Sequence, residues 1–265
     1  MEILRVEGLT VRNRKDNAIL LKDVSFSLNQ GEILGILGES GSGKSLTSLA
    51  ILGLLPSGLE VESGAIYYKG KNLFSLSPKE WEDIRGKEIS IILQDPLTSL
   101  NPVLTIGEQI IEVLEAHLGM DKRSAWDRAI KLLSEVGIPE PELRMKSYPH
   151  QLSGGMRQRA MIAIALACDP TVLIADEPTT ALDPTLQLQV LELLKELNQK
   201  RGLSIIFITH DLGVMRYIAD RIVVYYKGEV IEVGETEKVF SKPTHSYTLS
   251  LLLSYPGSPL NATHA

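Results

Sequence analysis

The spacing of apolar and polar positions changes along the chain, and each change marks a different kind of element. Residues 3–6 and 20–28 alternate or cluster apolar side chains as strands do, with the polar stretch Asn13–Asn17 as the turn between them. The run Glu32-Ile33-Leu34-Gly35-Ile36-Leu37 has no polar face, which predicts a strand covered on both sides, as in a parallel sheet. A glycine-rich turn, Gly38–Gly43, follows it. The pattern from Lys44 to Leu55 then predicts a helix stopped by Pro56. Ala65–Tyr68 and Ile89–Leu93 read as further strands. From Ile106 to Val136 the period becomes helical, with Ile110, Ile111 and Leu114 and later Ile130, Leu132 and Leu133 at helical spacing. Strand signals return at Val172–Ala175 and Ser204–Ile208, with a predicted helix Leu186–Gln199 between them. Ile222–Tyr226 and Val230–Val233 flank Lys227-Gly228-Glu229 as a hairpin. Strand–helix alternation with one helical insertion, about residues 96–167, predicts an α/β core carrying a helical arm.

Composition narrows the class. The 265 residues suit one large domain or a core with a smaller subdomain. The longest uninterrupted apolar run, ending at Cys168, falls far short of the roughly 20 residues that a spanning helix needs. No basic-then-apolar leader follows Met1, so an intracellular, soluble chain is expected. One cysteine, Cys168, excludes an internal disulfide and any multi-cysteine metal site; it reads as a packed small hydrophobe. A formal charge of −6 argues against non-specific nucleic-acid binding. Trp81 and Trp126 read as packing residues.

Two segments carry chemistry. Gly38-Glu39-Ser40-Gly41-Ser42-Gly43-Lys44-Ser45 fits the phosphate-loop pattern G-x-x-x-x-G-K-[ST], between a predicted strand and a predicted helix. Its glycines let backbone N–H groups gather round phosphate oxygens, and the helix behind points its positive end at the same anion. Lys44 adds a full charge, and the Ser45 hydroxyl suits a Mg²⁺ ligand. Downstream, Val172-Leu173-Ile174-Ala175 ends in Asp176 and Glu177. Ligands of open parallel sheets lie at such carboxyl ends, so Asp176 is expected to hold Mg²⁺ and Glu177 to deprotonate an attacking water. The alternative is that acidic residues merely end a strand.

Leu152-Ser153-Gly154-Gly155-Met156-Arg157-Gln158-Arg159, lying before Asp176, resembles the signature of the ATP-binding-cassette (ABC) superfamily. Gln94 after Ile91-Ile92-Leu93 resembles its Q-loop, Ala181-Leu182-Asp183 its D-loop, and His210 after Phe207-Ile208-Thr209 its switch histidine. The resemblance spans nearly the whole chain in the right order. It implies a P-loop NTPase cassette of α/β class: a mixed-sheet core with an antiparallel β subdomain over 1–95 and 168–235, an inserted α-helical subdomain over 96–167, and a helical tail over 236–265. It also implies catalytic roles for Glu177, His210 and Gln94. Nucleotide contacts are implied for Gly38 to Ser45, Ser153, Gly154, Gly155 and Asp183, and metal contacts for Ser45, Gln94 and Asp176.

The chain thus offers two anion sites, at Lys44 and at Ser153–Gly155, and one phosphate tail does not need both. The resemblance resolves this through two subunits packed head to tail, each signature closing on the partner's nucleotide. Rival readings remain for single residues: Ser153 and Asp183 as helix N-caps, and His210 as a structural histidine. One departure stands out. The family's adenine-stacking aromatic corresponds to Asn13, flanked by Arg12 and Arg14, and no aromatic precedes Phe26. An arginine plane or Ile19 is left to pack the base.

Gln94-Asp95-Pro96-Leu97-Thr98-Ser99-Leu100-Asn101-Pro102 and Lys242-Pro243-Thr244-His245-Ser246-Tyr247-Thr248 resemble the peptide/nickel importer branch. That branch implies ATP and Mg²⁺, two transmembrane permease subunits, a second and different ATPase subunit, an extracytoplasmic substrate-binding protein acting indirectly, and a place on the cytoplasmic face of the membrane. No nucleic-acid partner is expected. No cysteine follows Cys168, so the iron–sulfur cluster of many peptide-transporting relatives is not expected, which leans the cargo toward nickel or a metal chelate. The competing class is a soluble ABC-type ATPase uncoupled from transport. The apolar residues Leu97, Leu100, Val103, Leu104 and Ile106 suggest a docking surface for the membrane subunits.

Overall fold

The structure is a computed structural model and describes residues 1–95, 99–180 and 182–255. The chain forms two compact units, Met1–Leu76 with Ser204–Ala265, and Ser77–Leu203. The sequence boundaries near 95 and 167 follow element type, whereas these units follow packing density.

The first unit holds two sheets. Strands β1 (Glu2–Asn13), β2 (Ile19–Asn29), β4 (Leu59–Tyr68) and β5 (Lys71–Asn72) form an antiparallel sheet in the order β2-β1-β4-β5. Leu4 and Val6, and after a register shift between Val6 and Leu9 also Leu9 and Val11, are its buried core-facing residues. In the second sheet, β3 (Ile33–Leu37) runs parallel to both β8 (Ser204–Thr209) and β9 (Arg221–Tyr226), and β9 pairs antiparallel with β10 (Glu229–Glu235). All five residues of β3 are buried, which is why that segment has no polar face. The turn between β9 and β10 places Lys227 and Gly228 at φ 48° and 82°, the left-handed pair of a tight hairpin.

Helix α1 (Lys44–Ile51) follows β3 and is shorter than the apolar pattern predicts. It ends at Leu52 because Gly53, at φ 62°, turns the chain left-handed, and Leu54 N–H returns to Leu49 C=O.

In the second unit, β6 (Ile89–Ile92) runs parallel to β7 (Val172–Asp176). The helices are α2 (Pro78–Ile84), α3 (Ile106–Leu118), α4 (Lys122–Glu135), α5 (Pro141–Arg144), α6 (Gly154–Ala165) and α7 (Pro184–Arg201). Ser77 with Glu80 and Thr105 with Glu108 form reciprocal caps on α2 and α3, and Asp121 caps α4. Arg201 closes the unit by pairing with Glu135 and, at 2.8 Å, with Asp169, which also holds Arg128 at 2.6 Å. No helix among the described residues is long and apolar enough to cross a membrane.

Back in the first unit, α8 (Leu212–Ile218), α9 (Thr236–Ser241) and α10 (Ser246–Leu253) complete the fold. Met215 of α8 lies directly over Gly35 of β3, where a Cβ would overlap its sulfur and come within 2.9 Å of Ala219 Cβ. Gly35→Ala should therefore lower stability by about 1–3 kcal/mol through overpacking, measured by urea denaturation.

Candidate active site

The candidate residues are divided between the two units. The phosphate loop and His210 belong to the first; Gln94, Ser153–Gly155, Asp176, Glu177 and Asp183 belong to the second.

In the first unit the loop leaves β3, and the helix behind it is deliberately bare at its start. The N-cap is Gly43, at φ 103°, with no side chain to cap the first N–H groups. A Cβ there would strike Leu21, so glycine is required on grounds of conformation and of space. The buried Lys44 folds back, its Nζ donating to Gly38 C=O at 2.8 Å and Glu39 C=O at 2.7 Å. Ser42 Oγ is buried with no hydrogen-bond partner, and Gly41, at φ 78°, faces open space. An uncapped helix start, a cation resting on carbonyls and an orphaned hydroxyl fit a polyphosphate anion. Ser45 is exposed and available for a cation associated with that anion. The loop is held from behind: Gly228 N–H donates to Ser42 C=O at 3.0 Å, and Thr47 Oγ1 meets Tyr225 Oη at 3.1 Å inside the core. Burial raises the Tyr225 hydroxyl's pKa far above its ordinary value, so it stays a neutral structural group.

His210 leaves β8 beside this loop. Thr209 pairs with Leu37 in the parallel register, so His210 and Gly38 emerge from neighbouring strand ends. The imidazole is exposed, and Asp211 behind it caps α8 by accepting from Val214 N–H at 3.0 Å.

In the second unit β7 delivers Asp176 and Glu177 to its carboxyl end. Asp176 is buried, at 8% exposure, while Glu177 is half-exposed. Glu177 adopts φ 48°, a left-handed conformation that a glutamate rarely takes, and it turns the carboxylate away from the strand's own direction. Gln94 Nε2 and Thr180 Oγ1 each donate to Glu177 Oε2 at 3.0 Å. The structure thus brings Gln94 and Glu177 together, as a catalytic pair would require. Thr180 was not anticipated; its signal is its position three residues beyond Glu177 in the same turn.

The signature divides in the same unit. Ser153 caps α6, its Oγ accepting from Met156 N–H at 3.3 Å. A Cβ on Gly155 would come within 2.9 Å of Leu186, so this glycine serves packing, whereas Gly154 faces open space. The N-cap reading of Asp183 also holds: its carboxylate accepts from Thr185 and Leu186 N–H at 3.0 and 3.1 Å, with Pro184 in the first turn. Ala181, the first residue of the D-loop, lies outside the described residues, as do Pro96, Leu97 and Thr98.

The base-stacking alternatives narrow. Arg12 and Arg14 both donate to Glu60, at 2.8 and 2.7 Å, and Asn13 Oδ1 accepts from Lys15 N–H. Those arginine hydrogen bonds hold the Glu60 carboxyl below the usual range. Ile19, at 53% exposure, is the apolar surface left uncovered at this edge.

A family model described as ABC transporter matches residues 21–180. The dipeptide transport ATP-binding protein of Lactococcus lactis is 52% identical over 237 residues, covering 89% of this chain and 68% of that protein. The oligopeptide transport ATP-binding protein of Bacillus subtilis is 54% identical over 237 residues, covering 89% and 66%. The chain therefore spans about two thirds of the length of these relatives. Among solved structures, a dimeric post-hydrolysis state of an ATP-binding cassette bound to ADP and Pi matches with a TM-score of 0.77 at 31% identity, covering 88% of this chain and 99% of that one.

The two roles of Asp183 can be separated. Asp183→Ala should cost about 1 kcal/mol through loss of the cap, read from denaturation, while Asp183→Asn should keep that stability. A fall in ATP turnover in the stable asparagine variant then reports the second role.

Proposed function

The chain is a member of the ABC transporter family, and from that membership we propose that it is the ATP-hydrolysing subunit of a bacterial or archaeal importer of dipeptides or oligopeptides. The observation that carries hydrolysis, beyond binding, is Glu177: a carboxylate following a buried aspartate at a strand end and held by two side-chain donors. Relatives at 52% and 54% identity, named for dipeptide and oligopeptide transport, support the cargo. Peptide uptake therefore replaces the lean toward nickel, which rested on a missing cysteine cluster.

Gly38 to Ser45 hold the β- and γ-phosphates of ATP, and Lys44 exchanges its two carbonyl partners for phosphate oxygens. Ser45, Gln94 and Asp176 would be the residues to hold Mg²⁺, which would supply positive charge to offset that of the phosphates. Glu177 orients and deprotonates the attacking water, and His210 donates to the γ-phosphate as charge develops there. Inorganic phosphate leaves as the bond to the β-phosphate oxygen breaks. Ser153, Gly154 and Asp183 face the nucleotide of a second, different ATPase subunit in a head-to-tail dimer. The dimer sits on the cytoplasmic side of the membrane beneath two permease subunits, with the substrate-binding protein acting from the other side.

The docking surface for those permeases needs a correction. Leu100 and Ile106 were expected to offer themselves to the membrane subunits, but they are buried at 2% and 0% exposure, whereas Val103 of the same segment is exposed at 75%. Gln109, itself buried, pins the segment by accepting from Asn101 N–H at 2.9 Å and donating to Asn101 C=O and Leu104 C=O. A charge at Leu100 would therefore unfold the loop before it tested docking. The apolar groove next to it, about 390 Å³ and lined by Leu93, Leu100, Val113, His117, Met161 and Ile164, is the surface suited to a short permease helix.

Two experiments test these readings. In the assembled transporter, Glu177→Gln should retain ATP binding and lose about 10²-fold or more in turnover, whereas Lys44→Ala should weaken ATP affinity by about tenfold or more. Near-normal hydrolysis by the glutamine variant would remove Glu177 from the role of base. Separately, Leu93→Asp, at a residue 45% exposed, should leave ATP affinity of the isolated chain within about twofold. The same substitution should abolish co-purification with the permease subunits. Undiminished assembly would move the docking face elsewhere and reopen the reading of an uncoupled soluble ATPase.

A further inference from the structure

The segment after β10 has no part in the chemistry above, yet its side chains converge on the phosphate loop. Glu232 of β10 is buried at 8% exposure, and its carboxylate accepts from Thr244 N–H at 2.7 Å, Thr244 Oγ1 at 2.9 Å and His245 N–H at 3.2 Å. His245 in turn caps α10, its Nδ1 accepting from Tyr247 N–H at 3.1 Å. These bonds account for Thr244 and His245 and fix the angle at which α10 starts. What they deliver is Tyr247. Its ring lies on Tyr226 with centroids 4.2 Å apart, and Lys227 sits 5.0 Å from the centroid of the same Tyr226 ring. Tyr226, Lys227 and Tyr247 wall a cavity of about 250 Å³ whose remaining lining is Glu39, Ser40, Gly41 and Ser42 of the loop.

We propose that Tyr247 is a positioning residue for nucleotide binding: from α10 it braces the Glu39–Ser42 side of the phosphate loop and so makes the C-terminal segment part of the nucleotide machinery. Two observations beyond proximity carry this. First, Tyr247 Oη and Ser42 Oγ are both buried, both residues line the same cavity, and Glu39 of the loop faces the tyrosine hydroxyl. A phenylalanine would pack on Tyr226 equally well without burying a polar atom, so packing alone does not explain a hydroxyl placed against Glu39. Second, the backbone of Glu39 is where Lys44 rests, through its carbonyl, so Tyr247 and the phosphate-binding lysine act on one residue from two sides. Burial, and then the negative charge of Glu39, push the Tyr247 hydroxyl's pKa above its ordinary value, so it stays protonated and able to donate. Release of Lys44 to phosphate frees the Glu39 carbonyl, and the tyrosine keeps that stretch of loop from collapsing outward.

The inference rests on the nucleotide-binding reading above, and the test separates the two. ATP dissociation constants would be measured for the full 265-residue chain with Mg²⁺, alongside thermal denaturation, for the parent, Tyr247→Phe, Tyr247→Ala and Val190→Ala. Val190 is buried in α7, remote in sequence from the loop, and its truncation supplies a destabilised control. Tyr247→Ala should weaken ATP binding about tenfold and Tyr247→Phe about three- to fivefold, with Val190→Ala within about twofold of the parent despite its lower melting temperature. Parent-like affinity in Tyr247→Ala, or a loss no larger than that of Val190→Ala, overturns the proposal. Failure of the parent itself to bind ATP would instead overturn the nucleotide-binding reading, and this inference with it.

Discussion

A loop that binds an anion through backbone N–H groups cannot also satisfy those groups internally, and that constraint organises the first unit. The helix behind the phosphate loop starts at a glycine that offers no capping side chain. Among the described residues the other helices of eight or more residues each start at a capping side chain: Thr105, Asp121, Ser153, Asp183 and His245. The exception stands where a ligand completes the structure. Stability at the loop must then come from behind. Gly228 N–H on Ser42 C=O, the Thr47–Tyr225 hydroxyl pair and the fully buried β3 supply it. The lysine solves the complementary problem by resting on two carbonyls of its own loop, so its charge is solvated by protein until a stronger anion replaces them.

The second unit solves a different problem, that of fixing the direction of a carboxylate at a strand end. Glu177 receives an amide donor from Gln94 and a hydroxyl donor from Thr180. The left-handed backbone at Glu177 is the local strain that this orientation requires, and the turn closed by Thr180 N–H on Glu177 C=O helps maintain it. Gln94 reaches the same oxygen from the end of β6, so two neighbouring parallel strands meet at one carboxylate.

What the sequence made legible follows the strength of each physical signal. Buried strands such as β3 and β7 and the glycine-lysine loop carry dense local signals and were found where expected. Helix α2 was not predicted because none of its residues is buried, so it has no apolar period; its only mark is the Ser77–Glu80 capping box. Leu100 misled because an apolar residue in a proline-flanked segment looks exposed, and the buried Gln109 that pins it is eight positions away. The signature glycines look equivalent in sequence, yet Leu186 makes only Gly155 a packing requirement, a fact that needs tertiary contacts. Tyr247 was legible only as part of a resemblance, since nothing in its spacing points to a loop some two hundred residues earlier.

The missing adenine-stacking aromatic fits the same economy. A loop that gathers N–H groups, a helix start and a lysine round the phosphates draws its affinity from charge and from hydrogen bonds to charged oxygens, which are the stronger class of polar contact. Glu60 accepts from both arginines beside Asn13 and so ties the edges of their guanidinium groups to the antiparallel sheet. What that edge offers the base is the exposed aliphatic side chain of Ile19. Aliphatic contact of this kind excludes water from a ring face but reads no hydrogen-bonding edge, so it contributes area without discrimination. The phosphate loop and the Ile19 edge thus differ in kind: one gathers a lysine, carbonyls and an uncapped helix start, the other presents aliphatic surface.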